Sequence, residues 1–257
     1  MKGAKILQRI PPKKLHDICA EWDNICTNRQ AVIESGKDIS LRCVTAPCIL
    51  KKISELSPRR VLDIGCGTGY IASLIAKQAG ACWGIDISEN SIAIAKRTYN
   101  LGNLHFLNTA VADYYPTFQF DVCVSNLVFT SEPDWISSVK KINSLLTADG
   151  YLLIMITHPC FWPMHWGYNN ESWYKYDEEI FIEHDFSLSL VKSIGKTTYI
   201  HRPLAAYTKG ILSSGFDIIE MIEPYPTEST PPNYAYDYPR FLFLCCQKKT
   251  KIVGDTK

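Results

Sequence analysis

The chain has 257 residues, 46% of them hydrophobic, enough for one large domain or one domain with an appendage. Its formal net charge of +1, without long blocks of like charge, argues against a dedicated nucleic-acid surface, which needs clustered Lys and Arg. No apolar run reaches the roughly 18–20 residues that cross a bilayer, and Met1-Lys2-Gly3-Ala4-Lys5 leads into no signal-like apolar core.

Leu15, Ile18, Cys19, Trp22, Ile25 and Cys26 recur at helical spacing, which predicts one or two amphipathic helices over 12–34. Pro47 opens another, with Ile49, Leu50, Ile53 and Leu56 on one face, closed by Ser57-Pro58. A strand over Arg60–Ile64 runs into three glycines at alternate positions, and a helix then continues to about Gln78, with Gly80 as its stop. The next strand ends at Asp86, and Ser88 is placed to cap a helix through Tyr99. Strands follow over 104–107 and 120–125, the second a continuous apolar run of the kind buried in parallel sheets. Pro133 and Asp134 start a helix with Ile136, Val139, Ile142, Leu145 and Leu146 inward, and Asp149-Gly150 turns the chain into a strand over 151–157. This alternation implies right-handed crossovers and a parallel sheet.

Beyond Thr157 the pattern changes: 158–200 is rich in Trp, Tyr and His, with weak periodicity. Regular structure resumes with a helix from Pro203, carrying Leu204, Tyr207, Ile211 and Leu212 on its face and Gly215 at its end. Two strands follow, Phe216–Ile222 and 240–247, with Pro224, Pro226, Pro231, Pro232 and Pro239 between them. Cys245 and Cys246 on the last strand point to opposite faces. The ten cysteines lack metal-ligand spacing, so no metal site is expected, and they read as small apolar fillers in a reducing cytoplasm. Asn170-Glu171-Ser172 fits a glycosylation acceptor only by chance, since nothing indicates a secretory route.

The stretch that carries chemistry is Val61-Leu62-Asp63-Ile64-Gly65-Cys66-Gly67-Thr68-Gly69-Tyr70. A strand, a tight glycine turn and a helix start let backbone approach a nucleotide-like ligand. An acid at the end of the next strand, Asp86, can accept from ribose hydroxyls. The dinucleotide fingerprint would need a glycine where Tyr70 stands, and Asp63 places a negative charge where a pyrophosphate would lie. An acid there suits a ligand carrying an ammonium group.

Glycines, loop acid and ribose acid together resemble the S-adenosylmethionine (SAM) site of class I methyltransferases over about 57–150. The later stretches His158-Pro159-Cys160-Phe161, His201-Arg202-Pro203-Leu204, Glu223-Pro224 and Pro239-Arg240-Phe241-Leu242 are similar to a small-molecule subgroup. The resemblance implies a Rossmann-like, mostly parallel seven-stranded sheet whose last strand is antiparallel, with helices on both faces. Residues 1–257 would form one domain: an N-terminal helical cap (1–56), a SAM-binding core (57–157), an aromatic acceptor lid (158–202) and the end of the sheet (203–257). By the same resemblance Asp63, Gly65, Gly67 and Gly69 line the methionine part of SAM; Cys66 joins the cofactor-binding set, and Tyr70 either hydrogen-bonds near the carboxylate of SAM or packs. Asp86 holds the ribose and Ile87 the adenine, and Asn126 and Leu127 face the methionine end. Ala110-Val111 occupies the place of the acid that usually meets the adenine amine, which leaves Val111 to pack on the ring.

Methyl transfer from a sulfonium needs mainly alignment and exclusion of water, so few side chains are obligatory. His158 directly follows the fifth core strand and is the first candidate for a base or acceptor contact, with strand capping as the alternative. His201 and Arg202 begin the later helix; Arg202 either binds an acceptor carboxylate or bridges to an acid such as Glu223. Phe161, Trp162, His165, Trp166, Tyr168 and Trp173 are the candidate acceptor contacts, with a satellite core holding the loop down as the alternative. The expected activity is methylation of an O or N atom of a small aromatic or heterocyclic metabolite, releasing S-adenosylhomocysteine (SAH), by a cytoplasmic monomer or homodimer that meets neither nucleic acid nor membrane. An RNA or protein methyltransferase, a nicotinamide-dependent oxidoreductase and a non-catalytic SAM-binding subunit are the competing readings.

Overall fold

A computed structural model describes residues 7–187, 190–191, 193–226, 234 and 237–250; Met1 to Lys5, Pro231 and Pro232 lie outside them. The central sheet has seven strands: β2 (Arg60–Ile64), β3 (Ala81–Asp86), β4 (Leu104–Asn108), β5 (Phe120–Asn126), β6 (Leu146–Thr157), β9 (Phe216–Ile222) and β10 (Phe241–Lys248). Their order is β4-β3-β2-β5-β6-β10-β9. The first five pair in parallel, and β10 lies antiparallel between β6 and β9. This is the sheet expected from the sequence.

Side chains alternate across the sheet with a period of two. Leu152, Ile154 and Ile156 face one core with Leu242, Leu244 and Cys246. Leu153 and Met155 face the other with Phe241, Phe243 and Cys245. The first core is covered by α5 (Trp135–Leu145) and α7 (Leu204–Ser213), the second by α2 (Ala46–Leu56), α3 (Tyr70–Ala76) and α4 (Glu89–Thr98). Strands buried on both faces read as unbroken apolar runs, which is why β5 and β6 were visible in the sequence.

Four expectations need correction. Ile136 is exposed, because the cap at Asp134 puts Trp135 in phase with Val139 and Ile142 and turns Ile136 away from the core. Leu212 is exposed, the buried face of α7 being Tyr207, Gly210 and Ile211. Leu146 is buried, but as the first residue of β6; Asp149-Gly150 sits in a register shift between the pairs Phe120↔Leu146 and Val122↔Tyr151. Finally, the segment after β6 has regular structure. A short helix α6 (Trp162–Trp166) precedes β7 (Ile180–Asp185) and β8 (Lys196–His201), and these strands form a second antiparallel sheet with β1 (Leu7–Ile10), in the order β1-β7-β8. The N-terminal segment is therefore not wholly helical. Strand alternation there is hidden because Thr197, Thr198, His184 and His201 are buried polar residues.

Helix α1 (Leu15–Glu34) joins the two sheets. Its Glu21 accepts from the Thr198 amide at 2.7 Å and hydroxyl at 3.0 Å, and its Cys19 thiol reaches the Ile87 carbonyl at 3.4 Å. The Ser88 hydroxyl donates to Asp23 at 2.5 Å and accepts from the Ser91 amide, so it caps α4 and fastens α1 at once. Among the described residues no helix is long and apolar enough to cross a membrane, and no cluster of potential metal ligands occurs.

Candidate functional site

A cavity of about 950 Å³ opens at the carboxyl ends of β2, β3 and β5, between the central sheet and the smaller one. In an open parallel sheet this is where the first strand's neighbours diverge and a ligand can reach the loops. Asp63, Gly65, Cys66, Gly67, Tyr70, Asp86, Ile87, Val111, Asn126 and Leu127 all line it.

Gly65 has φ +62°, and a Cβ there would come within 2.4 Å of Val128. Gly67 has φ +53° and no atom within 4 Å of its Cβ position, so its backbone faces open space. Gly69 does not line the cavity. It precedes α3, with Phe106 at 2.6 Å from where its Cβ would be, and lets that helix pack close to β4. Asp86 accepts from the Gly67 amide and the Ser88 amide, each at 2.8 Å. Its carboxylate therefore shapes the glycine loop while presenting an edge to the cavity; burial raises its pKa, and those two amides oppose the rise.

Asp63 is 2% exposed, and its Oδ2 has no hydrogen-bond partner. Burial pushes its pKa up to about 8; the Asp86 charge adds to the rise and the Ala72 amide opposes it. A buried carboxyl oxygen without a partner is costly, and a positively charged ligand group would relieve it. Asn126 Oδ1 at the end of β5 is likewise buried without a partner, and Leu127 takes the left-handed conformation at φ +64°, aiming the backbone of the next turn at the cavity.

The acceptor candidates divide. Trp162, His165 and Trp166, all on α6, line the cavity. Phe161 does not: it lies against His158 (4.6 Å between ring centres) and Tyr238 (5.9 Å). Tyr168 is fully buried in a satellite core with Ile180, Ile182 and Tyr199, where Trp173 stacks on it at 6.0 Å. One segment therefore supplies both cavity-lining rings and a satellite core.

The three polar candidates stay outside the cavity. His158 is 4% exposed, its Nε2 lies 2.8 Å from Glu223 Oε1 and its Nδ1 accepts from the Cys160 amide at 3.2 Å. Burial lowers its pKa, against the Glu223 charge, so a neutral ring locks the end of β6. His201 is fully buried between the Tyr168 hydroxyl (3.3 Å) and the Tyr176 carbonyl (3.0 Å), and burial also lowers its pKa. Arg202 pairs with Glu179 at 2.5 Å instead of Glu223, and donates to the carbonyls of Phe129 (2.7 Å), Glu132 (2.8 Å) and Pro133 (3.3 Å). It fastens the turn after β5 to the second sheet.

Sequence reasoning missed Tyr199, His184 and Thr197 from β7 and β8, Glu132 from the β5–α5 connection, Ser138 on α5, and the Arg29–Asp38 ion pair (2.6 Å) from α1 and the loop after it. The acid of Thr130-Ser131-Glu132-Pro133, just beyond a core strand, was the one local signal available. The others depend on chain segments meeting across the cavity.

The sequence model of the methyltransferase-domain family matches residues 61–150. These residues are similar to a methyltransferase domain. The stretch contains the glycine loop, Asp86, Asn126 and Leu127 and ends before α6, β7 and β8. Among curated proteins the chain is similar to the trans-aconitate 2-methyltransferase of Rhodopseudomonas palustris (strain BisB5), 30% identical over 119 residues, 46% of each chain. The chain thus spans less than half the length of the curated relatives it matches. Two solved structures share its fold. An S-adenosylmethionine dependent methyltransferase from Mesorhizobium loti has a TM-score of 0.60 at 19% identity, covering 79% of this chain and 98% of that one. The Burkholderia thailandensis 1,6-didemethyltoxoflavin-N1-methyltransferase, bound to 1,6-didemethyltoxoflavin and S-adenosylhomocysteine, has a TM-score of 0.61 at 15% identity over 97% of both chains.

Proposed function

We propose that this chain binds SAM and methylates an O or N atom of a small aromatic or heterocyclic acceptor. The observation that carries the reading is Asp63: a buried carboxyl with an unpartnered oxygen, at the foot of a glycine loop that turns its backbone to the same cavity. SAM supplies a sulfonium-bound methyl group already activated for displacement. Asp63 accepts from its ammonium, and the Gly65–Gly67 backbone packs along its methionine part. Asp86 accepts from the ribose hydroxyls, Ile87 and Val111 cover the adenine, and Asn126 and Leu127 border the methionine end. No pyrophosphate ligand suits a loop floored by Asp63, which disfavours the nicotinamide reading.

The chain's own contribution to catalysis is alignment and exclusion of water. Trp22 and α1 wall one side of the cavity and Trp162 and Trp166 another. A space of about 950 Å³ lies in the range of small-molecule sites and accommodates a cofactor with a modest acceptor. That enclosure and the near-neutral net charge support a small acceptor over an RNA or protein. We read residues 1–257 as one domain, acting as a monomer or homodimer. The ten unpaired cysteines support a reducing compartment such as the cytoplasm.

Calorimetric titration with SAM tests the reading. Binding by the wild type and about hundredfold weaker binding by Asp86→Ala is expected; equal affinity of the two would undo the site assignment.

A further inference from the structure

Of the two cavity acids that the cofactor reading does not use, Asp38 pairs with Arg29 and Glu132 forms no such pair among the described residues. Glu132 follows the turn Val128–Thr130 beyond β5 and is fixed twice. Its backbone is held by Arg202, which donates to the Glu132 carbonyl at 2.8 Å. Its side chain is held by the Ser138 hydroxyl from the second turn of α5. A carboxyl tied down in this way is presented to a ligand at little further cost in entropy.

Among the described residues no Lys or Arg forms an ion pair with this carboxyl. The Arg202 guanidinium behind it is spent on three carbonyls and on Glu179. Of the guanidinium groups lining the cavity among the described residues, Arg29 pairs with Asp38 at 2.6 Å, and Arg240 lies over the Tyr234 ring at 5.3 Å. Burial raises Glu132 to about 7, despite the opposing Ser138 hydroxyl and Arg202 charge. The same cavity is lined by Trp162, Trp166 and Tyr199, with Trp166 and Tyr199 in ring contact at 5.5 Å. The Trp162 indole N–H is buried without a partner.

We propose that Glu132, with the aromatic wall of Trp162, Trp166 and Tyr199, is the acceptor-binding site for a nitrogen base: an amine or N–H heterocycle that is positively charged or donates from nitrogen. The carboxylate gives such a group a charge-assisted hydrogen bond, and the ring faces attract a cation and stack on a planar body. A carboxylate acceptor would meet Glu132 as a like charge in a poorly solvated space and be rejected. The name of the trans-aconitate relative gives it a carboxylate substrate, but the family match in this chain stops at residue 150, before the aromatic wall. This proposal rests on reading the cavity as a methyl-transfer site and deepens it.

Benzylamine, benzyl alcohol and benzoate carry one ring and differ in charge. Titrated by calorimetry into the full chain, with and without saturating SAH, they should bind in that order. The amine should exceed the alcohol by about tenfold, the value of one hydrogen bond to a charged group. Glu132→Gln should bring the amine down to the alcohol's affinity and leave SAH affinity unchanged, which also shows that the variant is folded. Trp166→Ala should weaken all three ligands together. Benzoate binding as tightly as benzylamine, undetectable benzylamine binding, or an amine preference that survives in Glu132→Gln would each overturn the proposal. If Glu132→Gln does not fold, the order of the three ligands on the wild type decides. Failure of SAH to bind would instead remove the methyl-transfer reading, while a charge preference lost in Glu132→Gln would still stand as a property of this site.

Discussion

The two ends of the cavity are built differently. The end proposed for the cofactor comes mostly from one contiguous stretch, Asp63 to Ser88, in which backbone amides, glycines and two acids are set by a strand–turn–helix unit. The end proposed for the acceptor is collected from distant segments: Trp22 on α1, Glu132 after β5, Trp162 and Trp166 on α6, Tyr199 on β8. One end depends on backbone geometry, the other on tertiary packing held by a few buried polar side chains. Damage should therefore separate cleanly between them.

The largest effect is expected at Arg202, whose guanidinium joins the acceptor wall to the core. Arg202→Met strands the carbonyls of Phe129, Glu132 and Pro133 and should destabilise the fold by roughly 3 kcal/mol, read by urea denaturation. A loss within a few tenths of a kcal/mol would mean that the two sheets hold together without it. Asp86→Ala comes next: losing two amide contacts and the ribose acceptor should lower SAM affinity about a hundredfold, while Trp166→Ala leaves it nearly unchanged. If both variants lost SAM equally, the division between the two ends would be wrong.

Asp63→Asn should cost about tenfold in SAM affinity, and it carries a pH signature. The folded-state pKa of about 8 lies above that of an unfolded carboxyl, so between about pH 4 and 8 the folded chain without ligand binds more protons than the unfolded one. Its stability should therefore fall as pH rises through that window, and Asp63→Asn should flatten part of the slope; the raised Asp86 contributes a slope of the same sign. Denaturation midpoints at several pH values check this. The smallest effect is expected at His158. His158→Ala removes two hydrogen bonds at the end of β6 and should cost about 1–2 kcal/mol of stability with SAM affinity unchanged. Unaltered stability with lost turnover would return it to the chemistry.

This contrast also explains what could be read from the sequence. Arg60–Ile64, the glycine turn, Asp86 and Ser88 carry their instructions locally, in spacing and in residue types that only certain backbone shapes tolerate. β5 and β6 were legible because burial on both faces leaves an unbroken apolar run. β7 and β8 were not, because Thr197, Thr198, His184 and His201 are polar residues buried by pairing, which no local hydropathy pattern records. The same holds for the polar candidates. His158 and Arg202 stood out as chemistry-bearing residues, but their partners, the Cys160 amide, Glu179 and three loop carbonyls, are met only through the fold. Glu132 was passed over because a lone loop acid is uninformative until Arg202 and Ser138 are seen to hold it.

The central claim is that the loop floored by Asp63 takes a sulfonium nucleoside and not a dinucleotide. Calorimetric titration of the purified chain with SAM, SAH and NADH in parallel tests it most directly. Binding of SAM and SAH without NADH is the predicted result; binding of NADH alone, or of none of the three, would contradict the account.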